Sequence, residues 1–123
     1  MARILVVDDE ADIRESTKVA LESMGHTVLM AKDGREALQV LKGGQKLDLV
    51  ILDFFMPEMS GREVLEEMRK DKKTANIKVA MMTVARLGEA GEKELKKLKI
   101  LDFIPKPVDL QDFKARISKL LKA

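Results

Sequence analysis

Short apolar runs alternate along this chain with longer stretches in which apolar residues return every three or four positions. The runs suit strands buried on both faces, and the stretches suit amphipathic crossover helices. Five runs stand out: Ile4-Leu5-Val6-Val7, Thr27-Val28-Leu29-Met30, Leu49-Val50-Ile51-Leu52, Val79-Ala80-Met81-Met82 and Leu101-Asp102-Phe103-Ile104. The first helix is predicted to run to about Met24, with Ile13, Ala20, Leu21 and Met24 on one face and Gly25 as a left-handed stop. Asp33-Gly34-Arg35-Glu36 and Ser60-Gly61-Arg62-Glu63 resemble capping boxes for the second and third helices. A fourth helix, around Glu89 to Leu98, has only Leu95 and Leu98 for its stripe and is expected to be the most mobile element. In the fifth, Leu110, Phe113, Ile117 and Leu121 predict a single buried stripe.

Five such units, with no linker or low-complexity segment, predict one domain over residues 1–123 of the α/β class. Right-handed crossovers give a doubly wound, five-stranded parallel sheet flanked by five helices. Folds of this kind bind ligands beyond the carboxyl ends of their strands, so chemistry is sought just after each apolar run.

Composition narrows the class. Hydrophobic residues make up 46% and charged residues 36% of the 123, which excludes both a disordered tail and a membrane protein. No cysteine is present, so disulfides and thiolate metal sites are excluded. No apolar run approaches the roughly 18 residues of a membrane span. Met1-Ala2-Arg3 leads directly into a strand, and the cytoplasm is the expected location. The net charge of +2 is uneven: residues 92–123 carry eight Lys and one Arg against five acids, giving +4, and residues 1–91 carry −2. A solvated helical face explains such lysines best, and a surface for an acidic partner is the lesser alternative. With aromatic residues at only 3%, no stacking platform for nucleic acid is visible.

Polar residues do gather at the strand ends. Asp8-Asp9-Glu10 follows the first strand, Asp53 the third and Thr83 the fourth, and Lys106 lies just beyond the fifth. Neighbouring carboxylates raise one another's pKa unless a cation sits among them, and a hard divalent ion, Mg2+ above all, takes such oxygen ligands. Beside it Asp53 could attack phosphorus, with Lys106 spreading the developing charge and Thr83 donating to a phosphoryl oxygen. Taken singly, each has a plainer explanation: a helix cap for Asp8-Asp9, a turn for Asp53, a strand-end hydroxyl for Thr83, a solvated ammonium for Lys106. Joint placement at four strand ends is much harder to assign to chance.

Val6-Val7-Asp8-Asp9-Glu10, Leu52-Asp53-Phe54-Phe55-Met56-Pro57-Glu58-Met59-Ser60-Gly61 and Phe103-Ile104-Pro105-Lys106-Pro107 together resemble three signatures of response-regulator receiver domains, over nearly the whole chain. The resemblance implies a flavodoxin-like strand order 2-1-3-4-5. It implies Asp53 as phosphoacceptor in two-component phosphorelay signalling, charged by a sensor histidine kinase, a phosphotransfer protein or a small phosphodonor. Asp9 would bind Mg2+ directly and Asp8 partly through water, with Asp53 and the backbone carbonyl of Phe55 among the metal-site residues. Lys106 would pair with Asp53, through a cis bond to Pro107 that aims it. Thr83 and Phe103 would form the switch, changing an output face of the fourth helix, fifth strand and fifth helix. An output domain or partner, or a phosphorylation-linked dimer, would read that face. No direct nucleic-acid or membrane partner is expected, and no outside substrate would be turned over.

Some positions depart from the pattern. Val84 stands where a small residue is usual, Phe55 is bulky at the mouth of the site, and Ala85 offers no polar group to orient water. Either Val84 and Phe55 slow the passage of phosphodonor and water, or both are harmless. Lys99-Ile100 replaces a usual Gly-Ala turn. His26 lies away from the predicted site, and the eight Met suit adaptable packing. Two other functions compete: an interaction module that signals without phosphate, and a different enzyme on the same sheet. The acidic first turn disfavours a dinucleotide enzyme, and Phe55 stands where an aspartyl phosphatase needs a second acid.

Overall fold

The structure is a computed structural model that describes residues 1–84, 87–106 and 108–122. Strands β1 (Arg3–Val7), β2 (Thr27–Ala31), β3 (Leu49–Asp53), β4 (Val79–Thr83) and β5 (Asp102–Pro105) alternate with helices α1 (Ala11–Ser23), α2 (Gly34–Lys42), α3 (Gly61–Lys70), α4 (Gly88–Lys97) and α5 (Leu110–Lys122). All strand pairs are parallel and the order is β2-β1-β3-β4-β5, as expected. Strand alternation divides the core in two. Leu5, Val7, Val50, Leu52, Val79 and Met81 pack with Ala37 and Leu41 of α2, Val64, Leu65 and Met68 of α3, and Leu95 of α4. Ile4, Val6, Leu49, Ile51, Ala80, Met82 and Ile104 pack with Ala20 and Leu21 of α1 and with Phe113, Ile117 and Leu120 of α5. Burial on both faces explains why β1, β3 and β4 read as unbroken apolar runs, while the edge strands β2 and β5 are only partly buried.

The chain's punctuation follows its capping chemistry. Ser60 and Glu63 form a reciprocal capping box, both bonds 3.2 Å. At α2, Asp33 accepts from the Glu36 N–H at 2.8 Å, but Glu36 reaches one residue further back, to the Lys32 N–H at 3.2 Å. Gly25 lies at φ +90, the left-handed stop expected after α1.

Three details differ from the sequence reading. β5 lies one residue later than expected, Asp102–Pro105 rather than 101–104. The α5 stripe is rotated: Phe113, Ile117 and Leu120 are buried, Leu110 is 54% exposed, and Leu121 is only half-buried. Leu110 opens the helix, which leaves it at the end of the packed face rather than over it. The third concerns the lysines. Lys96 and Lys97 end α4 and Lys119 and Lys122 end α5, while all five helices have an acid in the first turn. In a parallel β/α fold every helix starts at the carboxyl edge of the sheet and ends at the other, so these charges complement the helix dipoles in register. Part of the charge excess after residue 91 thus serves the ends of α4 and α5, whereas α1 has no basic residue in its last turn.

The turn before β5 is held from outside. Lys99 takes φ 63, a left-handed conformation that suits glycine. Arg69 of α3 donates to the Leu98 carbonyl at 2.7 Å and to those of Ala75 at 3.0 Å and Ile77 at 2.8 Å. This guanidinium ties the end of α4 to the approach to β4.

Gly61 lets α3 begin directly against the end of β3. Its N–H donates to the Phe54 carbonyl at 2.9 Å, and a Cβ there would run into the Asp53 carbonyl oxygen and come within 3.0 Å of the Phe54 Cα. Those atoms are backbone and cannot swing aside. Gly61→Ala is therefore expected to destabilise by about 2–4 kcal/mol in urea unfolding, well beyond a surface substitution. A loss below about 0.5 kcal/mol would contradict this packing.

Candidate active site at the carboxyl edge

The sheet places the acidic and basic candidates side by side. Asp8 immediately follows β1, Asp53 ends β3, and Lys106 follows β5. Thr83 pairs with Pro105 across β4 and β5, and the Lys106 N–H donates to the Thr83 carbonyl at 2.9 Å. That pairing delivers Lys106 to the middle of the edge. Its Nζ lies 2.7 Å from Asp8 Oδ2, 3.2 Å from Asp53 Oδ2 and 3.9 Å from Glu10 Oε1, with the lysine side chain 5% exposed.

Asp8 is 1% exposed and Asp53 3%. Among the described residues Lys106 is the only side chain that pairs with the Asp53 carboxylate. Burial, then the charge of Asp8, raises the Asp53 carboxyl from 3.8 to about 6, and Lys106 only partly counters this. Burial alone would lower the Lys106 ammonium, but its bond to Asp8 and the charges of Asp53 and Asp8 outweigh that and hold it above its ordinary value.

One oxygen from each of Asp8, Asp9 and Glu10 falls within 4.8 Å of the others, with Asp9 and Glu10 exposed. All are hard oxygen donors with a single ammonium nearby, a set that fits a magnesium-like ion and gives a soft metal no sulfur or imidazole. Glu10, which the sequence offers only as part of a motif, joins the candidate donors by its proximity. The Phe54 N–H donates to the Met82 carbonyl at 2.9 Å, so Phe55 starts just past the last pairing of β3. The Phe55 ring stands edge-on to Phe54, centroids 4.7 Å apart, and the residue is 48% exposed. Val84, after β4, is 65% exposed.

Thr83 is buried at the inner wall of a cavity of about 430 Å³ that it shares with Val84, Leu87, Phe103, Lys106 and Arg116. Phe103 is half-buried, and its backbone is held by Asp102 at the start of β5 and by Arg116 of α5. Asp102 accepts from the Phe103 N–H at 2.8 Å, and Arg116 donates to the Phe103 carbonyl at 3.1 Å and to both Asp102 oxygens. Pro107, where a cis bond was expected, and Ala85 lie outside the described residues. His26 accepts from the Ala2 N–H at 3.1 Å, in the turn before β2. Arg14, which the sequence reading did not single out, donates to the Asp8 carbonyl at 2.7 Å.

Residues 4–118 match the family model of the response regulator receiver domain. The chain belongs to that family. Among curated relatives, the phosphate regulon transcriptional regulatory protein PhoB of Pseudomonas aeruginosa is 36% identical over 97% of this chain and 51% of its own length. The DNA-binding dual master transcriptional regulator RpaA of Synechocystis is 34% identical over 99% of this chain and 50% of its own. This receiver domain thus spans about half the length of the curated relatives it matches. Among solved structures, Vibrio cholerae chemotaxis protein CheY4 superposes with a TM-score of 0.90 at 28% identity, covering 98% of both chains. A CheY-like receiver domain protein from Methanospirillum hungatei gives 0.89 at 30% identity, covering 99% of this chain and 94% of its own. No helix among the described residues is long and apolar enough to cross a membrane.

The raised Asp53 pKa sets a pH dependence. Its folded value, about 6, exceeds the ordinary 3.8, so ionising it opposes folding. The stability it contributes is complete below about pH 4 and lost as pH rises through about 6. In the receiver domain without divalent ions, Asp53→Asn is expected to be more stable than wild type by about 2–3 kcal/mol above pH 7. The advantage should shrink as pH falls from about 6 towards 4. A pH-independent difference in urea midpoints would contradict it.

Proposed function

We propose that this receiver domain accepts a phosphoryl group on Asp53 from a phosphohistidine of a sensor kinase or phosphotransfer protein, or from a small phosphodonor, in the cytoplasm. The observation that carries this reading is the ammonium of Lys106 lying between the carboxylates of Asp53 and Asp8 at the carboxyl edge of the sheet. With a pKa of about 6, Asp53 is ionised at neutral pH and able to act as a nucleophile. One of its oxygens forms a bond to phosphorus while the bond from phosphorus to the donor's imidazole nitrogen breaks, its electron pair remaining on that nitrogen. Lys106 supplies positive charge to the phosphoryl oxygens in flight and afterwards pairs with the acyl phosphate. The residues to hold Mg2+ are Asp8, Asp9, Asp53 and the Phe55 carbonyl, with Glu10 within reach. When bound, the ion neutralises charge on the phosphoryl oxygens. Thr83 moves to donate to a phosphoryl oxygen, and Phe103 follows it inward.

The domain catalyses only its own phosphoryl transfer and dephosphorylation, with no outside substrate. Its donor docks over an edge that already carries apolar surface. Val108 and Leu110 are exposed beside a cavity of about 310 Å³ that also meets Ile13, Ala20 and Lys106. The face of α4, β5 and α5 carries the output, to a further domain, a separate partner or a phosphorylation-linked dimer.

Intact mass after incubation with acetyl phosphate and Mg2+ tests the reading. Wild type should gain one phosphoryl group, and Asp53→Asn none. Modification of neither would leave an interaction module that signals without phosphate, and modification of both would place the acceptor elsewhere. Phe55 and Val84 stand exposed just past the strand ends that carry Asp53 and Thr83; as a screen against water there, they make Phe55→Asn and Val84→Ala each expected to shorten the acyl phosphate lifetime severalfold, measured as loss of the added mass. Unchanged lifetimes would make both side chains bystanders.

A further inference from the structure

Every polar atom of Asp8 has a protein partner. Its N–H donates to the Ala31 carbonyl at 3.2 Å. Oδ1 accepts from the Glu10 N–H at 2.9 Å, and Oδ2 takes Lys106 Nζ at 2.7 Å. Its carbonyl accepts from the Arg14 guanidinium, also at 2.7 Å. The first three bonds fix where Asp8 sits and how its carboxylate turns. The fourth acts on the peptide linking Asp8 to Asp9, and so on the direction in which the chain leaves towards Asp9 and Glu10.

Arg14 is well placed for this. Its own N–H donates to the Glu10 carbonyl at 3.0 Å, which sets it one helical turn beyond the loop it reaches back to. The sequence around it holds Asp8, Asp9, Glu10 and Asp12, yet among the described residues no carboxylate lies within 4.0 Å of its guanidinium. A charge-assisted bond to a carbonyl is thus made in preference to an ion pair. Three carboxylates whose oxygens fall within 4.8 Å repel one another, and the exposed pair, Asp9 and Glu10, could relieve that by swinging into solvent.

We propose that Arg14 is a positioning residue for the divalent ion: by holding the Asp8 carbonyl it keeps the Asp9 and Glu10 carboxylates converged when no metal offsets their repulsion. This inference rests on the metal reading above. It opposes the simplest electrostatic expectation. A guanidinium beside a cation site repels the cation, so deleting the charge alone should tighten divalent binding. If Arg14 positions the loop, deleting it should weaken binding, because removing the groups that orient metal ligands costs about tenfold or more in affinity.

Mn2+ binding, followed by electron paramagnetic resonance of the free ion, separates the two by sign. Arg14→Met keeps the aliphatic stem and removes both charge and donor, and it is expected to weaken Mn2+ binding about tenfold. Arg14→Lys restores a cationic donor and is expected to recover most of that loss. Far-UV circular dichroism and urea midpoints establish that both variants are folded, and if Arg14→Met is not, Arg14→Gln takes its place. Binding by the neutral variant as tight as wild type, or tighter, overturns the proposal. Asp9→Asn tests the reading beneath it: if wild type binds no Mn2+, or Asp9→Asn binds as well as wild type, the acidic loop is not the metal site and the positioning role falls with it.

Discussion

Among the described residues, the Lys106 ammonium, 2.7 Å from Asp8 and 3.2 Å from Asp53, is the only positive charge paired with these two buried carboxylates. Two desolvated carboxylates and one cation leave a net negative charge where water cannot screen it, and removing one member of such a group exposes the rest. The arrangement therefore carries a standing demand for more positive charge. Burial first, and the charge of Asp8 after it, hold the Asp53 carboxyl pKa near 6. A divalent ion or a proton can meet that demand, and a phosphoryl group arriving with its ion uses the same electrostatics.

The parallel sheet makes this convergence possible. Asp8, Asp53, Thr83 and Lys106 lie at the carboxyl ends of adjacent strands β1, β3, β4 and β5, and the β4–β5 pairing carries Lys106 next to Thr83. The same topology aligns all five helices with acidic first turns at this edge. Stability and chemistry share the constraint at Gly61, where the need to start α3 against the Asp53 carbonyl leaves no room for a side chain.

Much of this was legible in the sequence because it rests on local pattern. Doubly buried strands read as apolar runs, and the residues after them announced the edge. What stayed hidden depends on side chains that reach distant backbone. Arg69 caps the Leu98 carbonyl, 29 residues away, and nothing in its own helix signals it. The Arg14 bond to Asp8 reads in the sequence as one more charge on an exposed helix. The side Phe103 faces was equally unreadable, since it follows from pairing with Met81 of β4, which puts Phe103 on the face of α3 and α4 and Ile104 on the other. The α5 stripe differs at its ends from its periodicity, which gives the face but not how far the sheet extends beneath it.

The electrostatic state of the Asp53 carboxylate decides whether the site can work in this way. Carbon-13 NMR of the Asp53 side-chain carboxyl, titrated without divalent ions, measures it directly. The expected midpoint is near 6, moving up in Lys106→Met and down when Mg2+ is added. A midpoint near 3.8, indifferent to both changes, would mean that Asp53 is an ordinary surface acid and that the site described here does not exist.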